Sequence, residues 1–223
     1  MHMAARGYRK IGDLPPTIPV FPLDGAVLLP FGELPLRIFE PRYLNMVDDA
    51  MAGDRMIGLV QTRGGAPARP RLERVGCAGR LTAYAETGDG KYLITLTGIC
   101  RFETGEELIV PTPYRQVRPS WAMFEADLAM DDEMVEFERA PFLGLLRRYL
   151  DARGLGVEWD AVAAAPAPAL INSLSMALPF ERAEKQALLE APSLEERRAA
   201  LGALLEMDSA FGADEDDEPP PIH

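Results

Sequence analysis

Residues Val75–Phe102 read VGCAGRLTAYAETGDGKYLITLTGICRF, and this stretch decides the fold. Thr87-Gly88-Asp89-Gly90 is a turn signal between two runs, Val75–Glu86 and Lys91–Gly98, that alternate with a period of two. In the first run Val75, Cys77, Leu81, Ala83 and Ala85 are spaced to share one face of a strand. In the second, Tyr92, Ile94 and Leu96 oppose Leu93, Thr95 and Thr97. Gly76 and Gly79 inside the first run predict a bulge or strong bend, of the kind that curls a sheet into a barrel.

Upstream, Thr17–Leu23 (TIPVFPL), Ala26–Pro30, Leu34–Phe39 (LPLRIF) and Met56–Thr62 are further short apolar runs, the first two parted by the turn signal Asp24-Gly25. Leu34, Leu36 and Ile38 alternate against Pro35, Arg37 and Phe39, as a strand with one buried face does. Pro22, Pro30 and Pro35 remove ladder donors and predict edge strands or bent strand ends. Ile99–Val110 and Tyr114–Arg118 add strands downstream. The helix expected in this half is Pro41–Ala52, with proline in its first turn, Tyr43, Leu44, Val47 and Met51 along one side and Gly53 just past its end.

After about residue 125 the apolar period becomes 3.6. Asp131 or Asp132 caps a helix carrying Val135, Phe137, Phe142, Leu145, Leu146, Tyr149 and Leu150, bent or divided at Pro141. Pro168 opens a second helix through Leu178, stopped by Pro179, and Phe180–Glu190 forms a third. Ser193-Leu194-Glu195-Glu196 is a capping box that starts a fourth, with Leu194, Leu201, Leu204 and Leu205 apolar. The expected organisation is a disordered segment 1–16, a β-rich lobe 17–118, a helical lobe 119–208 and an acidic disordered tail 209–223. The fold class is α+β.

Composition removes most familiar chemistry. In 223 residues the two histidines are His2 and His223, at the extreme ends. An all-histidine zinc site, a Ser-His-Asp triad or a Cys-His pair needs an imidazole inside the fold. The three lysines are Lys10, Lys91 and Lys185. Gly90-Lys91 is followed by Tyr92 and lacks the upstream glycine of a phosphate-binding loop. Ser175 and Lys185 are the nearest pair of dyad types, but Pro179 interrupts any helix joining them. No metal and no cofactor are expected. Cys77 and Cys100 read as two buried thiols of a cytoplasmic protein rather than a redox pair. The N-terminal residues lack the apolar core of a signal peptide, and no run approaches the roughly 20 apolar residues of a membrane span.

The net charge is −12, with 13 basic and 13 acidic side chains over residues 1–111 against 10 and 22 over residues 112–223. That balance disfavours nucleic acid as a partner. Arg63, Arg69, Arg71, Arg74 and Arg80 cluster in sequence and are read as a solvated rim, with an anion site as the alternative. Asp48-Asp49 and Asp131-Asp132 are adjacent acids that do not face one another on a helix, and surface or capping roles explain them.

Three separated motifs carry a family resemblance. IPVFPLDGAVLLPFGELPLRIFEPRYLNMVDDAM (Ile18–Met51) resembles the opening of the Lon N-terminal domain, the substrate-binding part of the ATP-dependent Lon proteases. Val75–Phe102 resembles its central hairpin, and INSLSMALPFERAEKQALLEAPSLEERRAAL (Ile171–Leu201) its C-terminal helical part. Together they span roughly residues 17–206. The resemblance implies a curled, PUA-like β-sheet pseudo-barrel followed by a helical subdomain. It also implies a bacterial, non-catalytic, stand-alone polypeptide-binding domain, without the ATPase and Ser-Lys peptidase modules of full-length Lon. One departure is Phe31 before Gly32, where many relatives have glycine after the proline.

On this reading Glu40, Pro41, Arg42 and Tyr43 build a helix start, and Pro179 and Phe180 a helix break with an apolar anchor. Candidate peptide-binding residues are Phe31 at a loop tip and Trp121, Met123 and Phe124 in the aperiodic stretch 119–124, the alternative for each being a packing role, which for the stretch means gluing the two lobes together. Expected partners are unfolded or degron-bearing polypeptides and a Lon-type protease, with no nucleic acid and no membrane. An adaptor or regulator role in quality control follows. The alternative is a PUA-like module binding RNA or a small-molecule ligand.

Overall fold

The hairpin pairs along its whole length. The computed structural model describes residues 7–66, 69–129 and 138–214. In it, β6 (Val75–Glu86) and β7 (Tyr92–Glu107) run antiparallel from Val75↔Glu103 to Glu86↔Tyr92. The turn closes through Thr87, whose N–H donates to the Lys91 carbonyl at 2.8 Å, with Gly90 at φ 72°. The run beginning at Ile99 does not form a new strand but continues β7.

That length lets β7 serve three neighbours. Residues 92–97 pair with β2 (Glu33–Ile38), the body of the strand pairs with β6, and Glu103–Glu107 pair with β8 (Arg115–Ser120). β3 (Met56–Val60) is antiparallel to β6, and β1 (Ile18–Pro22) lies between β3, parallel, and β8, antiparallel. The circuit β7-β6-β3-β1-β8-β7 therefore closes into a small barrel, while β2 prolongs the sheet as an edge strand. Pro35 sits on that edge, as expected. Pro22 does not mark one: β1 is flanked on both sides, and Pro22 is its last residue. β4 (Thr62–Ala66) and β5 (Arg69–Leu72) form a separate two-stranded ribbon, and α1 (Pro41–Ala52) buries Tyr43, Met46, Val47 and Ala50.

The apolar run Ala26–Pro30 is not a strand. Its Val27, Leu28 and Leu29 are buried, and the loop crosses the hairpin where Gly79 pairs with Gly98. A Cβ at Gly79 would lie 2.5 Å from Leu28 Cδ2, and one at Gly98 2.0 Å from the Leu29 carbonyl oxygen. At Gly98 another backbone occupies the side-chain space, and at Gly79 the Leu28 side chain does. The register shifts between Ala78 and Gly79 and again between Leu81 and Ala83, the bulges expected of a curling strand.

By their internal contacts the described residues divide into two units interleaved in sequence. The first comprises those of Met1–Glu133 with Asn172–Glu190, and the second the remainder. Residues 119–129 and 172–190, expected in a helical lobe, thus belong with the strands. α2 (Arg139–Ala152), α3 (Trp159–Ala164) and α6 (Leu194–Asp214) are in the second unit, where α2 packs on α6. α4 (Ala167–Ala177) enters the first unit at Asn172, and α5 (Arg182–Glu190) lies wholly within it. Pro141 does not divide α2; it sits in the first turn, where its missing N–H costs nothing. Val135, Phe137 and the caps expected at Asp131 or Asp132 lie outside the described residues. The capping box at α6 is present: the Ser193 and Glu196 N–H groups donate to each other's side chains, both at 3.1 Å.

A buried ion pair ties the first unit together. The Arg101 guanidinium on β7 donates to Asp127 through Nε at 2.9 Å and Nη2 at 2.8 Å, and through Nη1 to the Leu189 carbonyl of α5 at 3.1 Å. Asp127 sits on a 3₁₀ helix, Ala122–Leu128, and also accepts the Arg101 backbone N–H. On α5, Gln186 donates to the Val75 carbonyl of β6 and accepts from Gln61.

Cys77 and Cys100 are free and buried. Burial, with the Asp127 carboxylate nearby, pushes the Cys100 thiol far above its ordinary range, so almost no thiolate exists at neutral pH. A thiol reagent such as Ellman's is expected to label neither cysteine in the native protein and both after denaturation; rapid native labelling would contradict the burial.

Candidate functional site

The residues expected to bind peptide are not brought together on one surface. Trp121 is only 6% exposed and packs edge-on against Phe102, ring centroids 5.7 Å apart. Phe124 is 2% exposed beneath the Arg101 guanidinium, 4.4 Å from its ring centre. Both belong to the core, so they take the packing role rather than forming an exposed aromatic platform. Of that group Met123 alone reaches solvent, at 56% exposure. Phe31 is half-buried with φ 63°, a left-handed conformation costly for a bulky side chain. It is held by its N–H bond to the Gly98 carbonyl at 2.9 Å, beside Gly32, where a Cβ would meet Met176 Sδ at 2.3 Å.

The helix-start residues take structural positions. Glu40 is the N-cap of α1 without capping it through its side chain; instead its carboxylate accepts from Arg42 Nε at 2.9 Å. Pro41 opens the helix, and Tyr43 packs edge-on against Phe21 with the Arg42 guanidinium 4.5 Å from its ring centre. Pro179 precedes buried Phe180, ahead of α5. Lys185 Nζ donates to the carbonyls of Gly25 and Met176, and burial lowers its pKa; Ser175 is fully buried.

An exposed apolar face arises where no single motif pointed. In an antiparallel ladder, residues directly opposite share a face. The register sets Arg37, Leu93 and Ala85 in one row and Pro35, Thr95 and Ala83 in the next, across β2, β7 and β6. Leu93 is 47% exposed, Pro35, Ala83 and Ala85 are exposed, and Thr95 is half-buried. Phe39, just past β2, is 61% exposed. The opposite face of these strands carries Leu36, Ile38, Ile94 and Leu96 inward, and Tyr92 there donates to Asp48 of α1 at 3.0 Å. A solvated antiparallel face is normally polar, so Pro, Leu and Ala at its centre are the informative departure.

Sequence reading placed Ala83 and Ala85 on the same face as Leu81. The bulge between Leu81 and Ala83 inserts Thr82 and reverses the alternation, turning both alanines outward. A second surface, a groove of about 630 Å³, opens between the β4–β5 ribbon and the ends of β7 and β8, lined by both arginines and glutamates. Among the described residues no cluster of three or more His, Cys, Asp or Glu side chains is placed to hold a metal, and no helix is long and apolar enough to cross a membrane.

Known proteins agree with this architecture. The family model of the ATP-dependent protease La (LON) substrate-binding domain matches residues 17–206. Lon protease 2 of Myxococcus xanthus is 28% identical over 218 residues, covering 91% of this chain but 25% of its own length. The Lon protease of Syntrophus aciditrophicus is 32% identical over 57% of this chain and 16% of its own. The chain thus spans about a quarter or less of the length of these relatives. Among solved structures, a Lon N-terminal domain protein from Xanthomonas campestris superposes with a TM-score of 0.61 at 23% identity, over 84% of this chain and 97% of that one. The N-terminal domain of Lon protease from the Mycobacterium avium complex gives 0.63 at 18%, over 85% and 98%. These two share the curled sheet with a helical C-terminal part, and with the family match they establish that this chain belongs to the Lon substrate-binding domain family.

Proposed function

We propose that the protein is a non-catalytic polypeptide-binding domain acting in cytoplasmic protein quality control, as an adaptor or regulator that holds apolar segments of unfolded or degron-bearing clients for a Lon-type protease. The observation that carries this reading is the outward face of β2, β7 and β6, where Leu93 stands exposed between Arg37 and Ala85. An extended segment laid across these strands covers Leu93, Pro35 and the two alanines together. Affinity then comes from apolar burial and depends little on salt. Family membership supports polypeptide as the ligand class. Phe39 and Met123, both exposed, are candidates to extend the contact.

The test is binding of a permanently unfolded, carboxymethylated protein to wild type and to Leu93→Glu. Placing a carboxylate at the centre of the face is expected to weaken binding at least about tenfold, the equivalent of losing one buried leucine contact. Leu93 is half-exposed, so the melting temperature is expected to stay within a few degrees of wild type. Undiminished binding by the variant moves the site off this face. Failure of wild type to bind at all overturns the polypeptide reading.

A further inference from the structure

The arginine cluster noted in the sequence is gathered by the fold into the groove beside the β4–β5 ribbon. Arg63, Arg69, Arg71, Arg74 and Arg115 line it, opposed by Glu73, Glu103 and Glu107. Arg80 stands apart on β6, opposite Met56. Most of the groove's charge is internally matched. Glu107 is held between Arg69 and Arg115, both at 2.7 Å, which keeps its carboxyl below the usual range, and Glu103 accepts from Arg74 at 2.7 Å.

Arg63 and Arg71 are matched differently. They face each other directly across the ribbon, both exposed, in the register Arg63↔Arg71. Like charges opposite one another destabilise a hairpin, and two exposed guanidinium side chains on one face of the ribbon offer a fork to a carboxylate. The groove is therefore locally positive, with five arginines against three glutamates, on a chain of net charge −12. The ribbon pairs with no other strand among the described residues, so main-chain groups border the groove beside the arginines. On its inner side Arg115 Nη1 donates to the Pro70 carbonyl at 2.8 Å, fixing β5 in place.

We propose that this groove docks a short acidic polypeptide segment, whose carboxylates bridge Arg63 and Arg71. With three glutamates set against five arginines the positive excess is small, which suits a peptide of few charges better than a phosphodiester chain that brings a charge with every nucleotide. The site is separate from the apolar face of β2, β7 and β6 and stands or falls without it.

A short labelled peptide alternating glutamate and serine, its glutamine counterpart and a labelled single-stranded oligouridylate are titrated into the full chain at low and at physiological ionic strength. The expected result is binding of the glutamate peptide alone. Replacing both arginines (Arg63→Ala with Arg71→Ala) should weaken it at least about tenfold, and added salt should weaken it too. Both side chains are exposed and mutually repulsive, so the double variant is expected to melt at or above the wild-type temperature, which separates lost binding from lost folding. Binding that survives the double substitution, no binding at low salt, or tighter binding of the oligouridylate overturns the proposal. Leu93→Glu should leave acidic-peptide binding intact, so failure here and failure of the apolar-face reading are told apart.

Discussion

Asp127→Asn is expected to lower unfolding free energy by about 3–5 kcal/mol, a large share of the roughly 5–15 kcal/mol that holds an ordinary domain folded. The change keeps the size of the side chain and removes only its charge. Arg101 is then a buried cation whose bonds to residue 127, at 2.8 and 2.9 Å, are weakened, while it still donates to the Leu189 carbonyl. Cost arises from taking a carboxylate's charge away from beside a buried guanidinium in a low-dielectric setting rather than from one lost hydrogen bond. The companion variant Arg101→Met with Asp127→Leu removes both charges and is expected to recover most of the loss. Urea denaturation of wild type and the two variants decides the matter. Equal midpoints for wild type and Asp127→Asn would show that the pair is not the tie described.

Gly98→Ala is expected to be at least as damaging, with loss of about 3 kcal/mol or more or failure to fold. One methyl group has nowhere to go, because its carbon would sit 2.0 Å from the Leu29 carbonyl oxygen and 2.7 Å from its carbon. Flexible side chains can swing aside, but this obstacle is backbone, itself held by the bonds of Phe31 and Gly32 to Gly98. Gly88→Ala supplies the control. That turn glycine has nothing within 4 Å of an added Cβ, so a change within about 0.5 kcal/mol is expected. If the two alanine variants melt together, the loop does not press on the hairpin as described.

What the sequence revealed and concealed follows from which signals are local. The Val75–Glu86 strand, the Pro41–Ala52 helix and the capping box at Ser193 are set by turn residues, caps and periodicity within a dozen positions, and each was legible. The run Ala26–Pro30 was not, because an apolar loop threaded against two glycines has the same composition as a short strand. Trp121 and Phe124 look like a sticky surface when read without partners. In fact a 3₁₀ turn aims Phe124 and Asp127, three apart, into the same interior. The candidate binding face was hidden by a single inserted residue, Thr82, after which every inward and outward assignment on β6 reverses. The arginine cluster was visible in one dimension, but its pairing with glutamates from β7 belongs to the third.

The return of residues 172–190 to the strand unit bears on how the chain is made. A ribosome delivers β1 to β8 well before α5, yet Val75, Arg101 and Gln61 each form bonds there. Until α5 emerges, the nascent barrel holds a buried guanidinium short of one acceptor and a glutamine short of its partner. The bonds to α5 must wait for a segment translated after all of α2, α3 and α4. A fragment that stops after β8 is therefore expected to be less stable than the full chain by the bonds that Gln61, Val75 and Arg101 make to α5.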